Sequence, residues 1–166
     1  MKKLLLVLAI GLAAAFSANA QWYVGGSLHF GTDQTVNANG EDAALIQIAP
    51  EVGYWISDKL AVGGAVSFDN SLGVTFVEIM PYVRYSLLEM GPVSLFLDGQ
   101  LGFAYVSGGG ESNFGFAGVG VAPGIAIPVG DHLSFVGHLG RIGYYGGSFE
   151  IDCSPANIGM GLYYAF

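Results

Sequence analysis

The chain carries few basic residues and almost no cysteine. Lys and Arg number 5 against 13 Asp and Glu in 166 residues, and Cys153 is the only cysteine. Without a basic stripe the chain lacks the groups that neutralise a phosphate backbone, so we expect no nucleic-acid partner. One cysteine excludes an internal disulfide. No Asp-x-Asp-x-Asp-Gly spacing is present, and we expect no metal site and no cofactor.

Long apolar runs are also missing, apart from one short segment near the start. Residues 4–16 are apolar, follow Lys2 and Lys3, and precede the small-x-small motif Ala18-Asn19-Ala20. Such a segment is too short to span a bilayer and is typical of a secretory signal. We therefore predict a cleavable signal peptide over residues 1–20 and one exported domain over residues 21–166. The domain has 3 basic and 13 acidic residues, a formal net charge of about −10.

The composition of the remaining chain is unusual for a soluble protein. Charged residues make up only 11% and apolar residues 52%, and there are 27 glycines. After residue 21 no apolar run is long enough for a membrane-spanning helix. A closed β-barrel is the other structure that satisfies every backbone polar group in lipid. The composition therefore favours a membrane β-barrel.

Apolar and polar residues alternate with period two through nearly the whole domain. In the fourth such segment Val83, Tyr85 and Leu87 alternate with Tyr82 and Arg84. Eight segments of this kind, each of roughly ten residues, predict an all-β, eight-stranded antiparallel up-and-down transmembrane β-barrel with its apolar face toward lipid. A soluble lipocalin-like barrel has the opposite polarity, and the continuous apolar face disfavours it.

Tight turns and longer connections alternate between the strands. Residues 57–59, 89–91 and 130–132 predict periplasmic turns, and residues 32–43, 69–73, 107–114 and 143–156 predict outer loops. Pro50, Pro81 and Pro123 recur at one depth, which predicts three bulges or bends. Continued alternation in the seventh strand predicts that Arg141 projects outward.

The segment Pro-x-Val-Gly-Tyr-Trp-Ile-Ser-Asp-Lys-Leu-Ala-Val-Gly at residues 50–63, together with the signal peptide and the aromatic last strand, resembles the bacterial outer-membrane protein β-barrel domain family. Its small eight-stranded members include the outer-membrane protein X and OmpA transmembrane-domain types. The resemblance covers residues 21–166. It implies a location in the cell outer membrane, with lipids and lipopolysaccharide as neighbours, and it carries no active-site signature.

One arginine and three carboxylates have inward parity on neighbouring strands. They are Arg84, Glu51, Glu78 and Asp98. Because an isolated buried charge is costly, we expect these groups to pair. They predict either a side-chain plug or an ion-selective constriction, and the narrow interior of eight strands favours the plug. Strand four has bulky inward residues, in contrast to Gly and Ala on strands six and eight, which predicts that strand-four side chains cross toward walls that have none (Phe76, Met80, Tyr82, Arg84; Gly118, Gly120, Ala122, Gly124, Gly159, Gly161).

Three functions remain open at this level. The first is a non-catalytic structural or surface-interaction protein with a filled lumen, and the second is a minor pore for small solutes. The third is a lipid-modifying enzyme, for which His132 and Ser134 are the only close His/Ser pair. We expect no catalytic residues because this pair lies in a turn without a pocket. The oligomeric state is not determined.

The last strand carries a terminal aromatic pattern. Its alternate residues with outward parity are Phe166, Tyr164, Leu162, Met160 and Ile158. Because this pattern looks like the terminal signal of outer-membrane barrels, it implies the barrel-assembly machinery as a partner during biogenesis.

Overall fold

The described part of the chain is almost entirely β-strand. The computed structural model describes residues 21–33, 43–71, 74–108, 110–153 and 158–166, so the predicted signal peptide lies outside the described residues. The strands are β1 Trp22–Asp33, β2 Ala43–Trp55, β3 Leu60–Ser71, β4 Val74–Met90, β5 Val93–Gly108, β6 Glu111–Pro128, β7 Leu133–Leu139, β8 Arg141–Tyr145, β9 Ser148–Asp152 and β10 Ile158–Ala165. In these ranges no helix is long and apolar enough to cross a membrane.

The strands close into one antiparallel barrel of eight strands, and the seventh and the eighth are each described in two segments. Strands β1 to β6 pair with their neighbours in sequence order. β7 and β8 are the two halves of the seventh strand, since both pair with β6. β9 and β10 belong to the eighth, and β10 closes the barrel by pairing with β7 and with β1. The predicted eight-stranded antiparallel barrel is confirmed.

Successive side chains along each strand point alternately out of the barrel and into its lumen. On β4, Ile79, Val83 and Tyr85 are about half exposed, whereas Tyr82 and Arg84 are buried. On β10, Met160, Leu162 and Tyr164 are exposed and Tyr163 is buried. The side chain of Ile158 is outside the described residues, and Phe166 is only half-buried. The barrel therefore has an apolar outer wall, and its core is the lumen.

The seventh strand changes its alternation at Gly140. Gly124 on β6 pairs with His138, but Val121 on β6 pairs with Ile142, so the seventh strand holds one extra residue. Gly140 has a φ of 123°, a backbone region that favours glycine. Such a bulge reverses the inward and outward positions that follow it. The predicted outward position of Arg141 is wrong, because the bulge turns this side chain into the lumen.

The three prolines interrupt the ladders on one side only. Each keeps a partner on one neighbouring strand, and pairing is missing on the other. At Pro50 and Pro81 the register is the same before and after the gap, so there is no bulge at either proline, and the alternative of a bend there stays a prediction. A proline removes one ladder donor, and no extra residue is needed to accommodate that loss. At Pro123 the gap coincides with the bulge at Gly140 on the facing strand.

The outer connections are shorter than predicted wherever they are described. β5 and β6 continue to Gly108 and from Glu111, so most of the predicted loop 107–114 is strand. β8 and β9 form a hairpin turning at Gly146 and Gly147, within the predicted loop 143–156. Cross-strand hydrogen bonding continues there because the two segments remain in register. Residues 34–42, in the predicted loop 32–43, lie outside the described residues.

Candidate functional site

A buried ion pair between Arg84 and Asp98 stands at the centre of the lumen. The two residues are direct partners across β4 and β5. Arg84 Nε donates to Asp98 Oδ1 and Arg84 Nη2 to Asp98 Oδ2, both at 2.7 Å. His138 Nε2 lies 3.1 Å from Asp98 Oδ2. This two-bond arrangement fixes the plane of the guanidinium, which a single contact would leave free to rotate.

Glu51 joins the same cluster from β2. Arg84 Nη2 donates to Glu51 Oε1 at 3.2 Å. The hydroxyls of Tyr82 and Tyr163 donate to the two carboxylate oxygens of Glu51. Tyr23 extends the network, since its hydroxyl oxygen lies 2.7 Å from that of Tyr82. The predicted pairing of Arg84 with Glu51 and Asp98 is present in the structure, and the tyrosines complete the hydrogen bonding of the charges.

Aromatic rings surround the Arg84 guanidinium. Its Cζ atom lies 4.0 Å from the centre of the Phe96 ring and 5.1 Å from the ring centres of Tyr82 and Tyr163. The Tyr23 ring follows at 5.6 Å. Rings at these distances attract a cation, the more so when water is excluded. We call the cluster of Arg84, Asp98, Glu51, His138, Tyr23, Tyr82, Tyr163 and Phe96 the plug.

Glu78 does not take part in the plug, although the parity of its strand predicts it. It lies on β4 six residues before Arg84, about 20 Å along an extended strand. Its carboxylate lies over Gly102 on β5, where a Cβ would stand 2.6 Å from Glu78 Oε1. Parity identifies the face of a strand but not the height on it. The predicted four-residue network is therefore divided between two levels.

A second charged group lies toward the outer end of the lumen. Arg141 Nη2 is 2.8 Å from Glu150 Oε1 on β9, and its guanidinium stands 4.3 Å from the Tyr145 ring centre. Sequence reasoning missed this pair because the bulge at Gly140 cannot be recognised from alternation alone. The signal available was Gly140 itself, an isolated glycine inside a strand pattern.

Inward aromatic rings lie over glycines on the adjacent strand. In each case the glycine is the direct register partner of the aromatic residue, and an added Cβ would stand 2.1 to 2.3 Å from its side chain. The pairs are Tyr23–Gly53, Tyr82–Gly63, Phe96–Gly124, Tyr145–Gly118 and Tyr163–Gly25. Of the strand-four side chains predicted to cross the lumen, Arg84 does so, since it reaches His138 on β7 and Tyr163 on β10, whereas the Tyr82 ring lies over Gly63 on the adjacent strand. The glycines make room for the rings of their immediate neighbours.

Two cavities flank the plug. The outer cavity has a volume of about 100 Å³ and is lined by Glu51, Asp98 and Tyr82 together with Glu78 and Arg141. The inner cavity has a volume of about 310 Å³, and its lining includes Arg84, Tyr163 and Phe96. Residues of the plug thus form a wall of each cavity.

The chemistry expected of a catalytic or metal site is not assembled in the described residues. His132 Nδ1 donates to the Ala165 backbone oxygen at 3.0 Å, and its ring stacks on Tyr164. Ser134 lines the inner cavity, and no hydrogen bond between it and His132 is described. Within the described ranges no group of three or more His, Cys, Asp or Glu is placed to hold a metal ion.

Comparisons with known proteins bear on the fold. No protein-family model and no curated protein matches the chain. The crystal structure of Neisserial surface protein A (NspA) matches with a TM-score of 0.57 and 21% identity, over 90% of this chain and all of NspA. The fold is an eight-stranded transmembrane β-barrel. A de novo designed transmembrane β-barrel matches with a TM-score of 0.49 and 14% identity, over 90% of this chain and 98% of the design.

Proposed function

We propose that this transmembrane barrel is a non-catalytic structural or surface-interaction protein of the bacterial outer membrane, with a lumen that passes no solute. The observation that carries the proposal is the plug, in which Arg84 is bound by Asp98 and Glu51 and enclosed by aromatic rings. A buried charge network with its hydrogen bonds made is costly to open. Such a network is suited to blocking the lumen rigidly and is poorly suited to conducting ions or solutes.

The outer wall supports the membrane location. Exposed apolar side chains surround the barrel and contact lipid and lipopolysaccharide in the proposed setting. Aromatic residues such as Trp22, Tyr54 and Tyr164 suit the membrane interface. Export by the signal peptide at residues 1–20 and insertion by the barrel-assembly machinery belong to the same proposal. NspA, which has the same fold, is named as a surface protein. This likeness of fold supports the proposal of a surface role for the present barrel.

The minor pore is the second candidate because the two cavities lie on opposite sides of a single layer of side chains. Planar-bilayer recording separates the two functions. The purified barrel should show no large, steady conductance under conditions in which an open porin does. The Arg84→Ala variant should lower stability without producing a wide channel, because Tyr23, Tyr82 and Tyr163 still occupy the cross-section. Steady conductance of the unmodified barrel would instead support the pore.

The lipid-modifying enzyme is tested separately. Expression of the barrel in a host with defined lipid A should leave the acyl composition unchanged, as measured by mass spectrometry. A His132→Ala variant serves as the matched control, since any change in acylation that persists in it cannot involve the His132 side chain. A change in acyl chains that requires His132 would overturn the non-catalytic assignment.

A further inference from the structure

Three residues that line the outer cavity have a buried polar atom without a hydrogen-bond partner among the described residues: Ser67 Oγ, the Tyr145 hydroxyl and Arg141 Nε. Glu78 is 7% exposed, and its carboxylate forms no ion pair among the described residues, although Arg141, which lines the same cavity, attracts it. Ser67, its direct partner on β3, is 1% exposed with an unpartnered Oγ. The Tyr145 hydroxyl is likewise unpartnered in a residue that is 7% exposed. All three residues line the same cavity.

Leaving such groups unpaired is unfavourable. A buried hydroxyl or carboxylate without a hydrogen-bond partner loses its hydration and gains nothing in return. The cavity, at about 100 Å³, has room for a few water-sized species beside these oxygens. We therefore expect a species bound in the cavity to supply the hydrogen bonds or coordination that these buried groups lack.

The net charge of the side chains in the lumen indicates the charge of the species that binds there. Glu51, Glu78, Asp98 and Glu150 bring four negative charges, and the guanidiniums of Arg84 and Arg141 bring two positive ones. Even if His138 is protonated, one negative charge in this set remains uncompensated. Arg84 is engaged by Asp98 and Glu51, and Arg141 by Glu150. Arg141 attracts Glu78 as well, but its ion pair is with Glu150, so Glu78 is the carboxylate of this set without an ion pair of its own.

We propose that the outer cavity binds one small monovalent cation on Glu78, such as sodium, potassium or ammonium. The Glu78 carboxylate supplies the charge, and Ser67 Oγ, directly opposite, supplies a neutral oxygen. Water in the cavity completes the coordination. A monovalent ion fits because one carboxylate is available, whereas calcium takes several carboxylate and carbonyl oxygens. No cluster of three acidic or imidazole ligands exists in the described residues.

The site lies on the outer side of the plug and needs no passage through it. A cation can enter and leave from the outer mouth, near the partly exposed Arg141–Glu150 pair. Cation binding is therefore compatible with a closed lumen and does not depend on the proposed function. A ligand that binds only the folded barrel raises its stability in proportion to the logarithm of ligand concentration above the dissociation constant.

The test measures the unfolding midpoint of the full-length barrel in a neutral detergent. Chloride salts of sodium, potassium and ammonium are compared with N-methyl-D-glucamine chloride at matched ionic strength, since that cation is too bulky for the cavity. We expect at least one small cation to raise the midpoint saturably by roughly 3 °C or more relative to N-methyl-D-glucamine. Equal midpoints in all four salts would overturn the proposal.

Two variants locate the effect. Glu78→Gln should abolish the difference between salts and should be more stable than the unmodified barrel in N-methyl-D-glucamine, because its unpaired charge is gone. Glu89→Gln, at an exposed carboxylate lining the inner cavity, should retain the difference. If Glu78→Gln does not fold, Ser67→Ala should shift the cation effect to higher concentration. An effect that survives both Glu78→Gln and Ser67→Ala, or one produced by divalent cations alone, would contradict the assignment.

Discussion

The Tyr82 side chain lies directly over Gly63, its register partner on the neighbouring strand. A Cβ at Gly63 would stand 2.3 Å from the Tyr82 hydroxyl oxygen and 2.7 Å from the Val52 backbone oxygen. Because Tyr82 is held by its hydrogen bond to Glu51, the ring cannot simply swing away. A side chain at position 63 would therefore displace Tyr82 and disturb the plug.

Substituting Gly63 by alanine should destabilise the barrel, because the added methyl group displaces Tyr82 or the backbone. Overpacking of this kind costs about 1–3 kcal/mol. Gly64→Ala is the matched control, since the nearest atom to its Cβ is a backbone oxygen at 3.9 Å. Urea unfolding in detergent measures both. Equal stability of the two variants would show that the Tyr82–Gly63 contact does not constrain the fold.

Tyr163→Phe removes one hydroxyl that donates to Glu51 and accepts from Arg84. A hydrogen bond to a charged group contributes about 1.5–3 kcal/mol, so a loss of that size in the free energy of unfolding is expected. The adjacent Tyr164→Phe alters an exposed ring for which no hydroxyl hydrogen bond is described, and its stability should match that of the unmodified barrel. If Tyr164→Phe proved the more damaging change, the plug would not be the main polar core.

Gly140→Ala should disturb the bulge that turns Arg141 inward. The φ of 123° is strained for any side chain, at a cost of about 1–3 kcal/mol, and a Cβ would also stand 2.5 Å from the Asp152 backbone oxygen. Gly137→Ala, with its nearest atom at 3.5 Å and no positive φ, is the control. Thermal unfolding compares them. A neutral Gly140→Ala would mean that the strand does not need this backbone conformation.

Cys153 offers a test of topology, because its thiol is free and exposed. A membrane-impermeant maleimide should label it on intact cells, since it is exposed and lies beside Gly140, at the base of the β8–β9 hairpin on the outer side of the plug. The doubly substituted Cys153→Ser, Ser57→Cys chain places the thiol in the opposite turn, which should react only after the membrane is permeabilised. Labelling with the reverse pattern would invert the proposed orientation.

Much of the site follows from parity and register. Arg84 and Asp98 share the inward face and are direct partners on paired strands, so alternation alone predicts that they meet. Glu78 shares the same parity but not the same height, and only the closed barrel shows that it belongs to the outer cavity. The error arises because period two identifies a face and carries no information on depth.

The sequence by itself determined the apolar outer face, the eight-stranded closure and the presence of charge in the lumen. These follow from side-chain alternation and from the need to satisfy every backbone group in lipid. The tertiary structure decided which inward side chains meet, how the glycines accommodate the aromatic rings, and that Arg141 faces inward. Those outcomes depend on strand register and on one inserted residue at Gly140, and a shift of a single position exchanges the two faces of a strand.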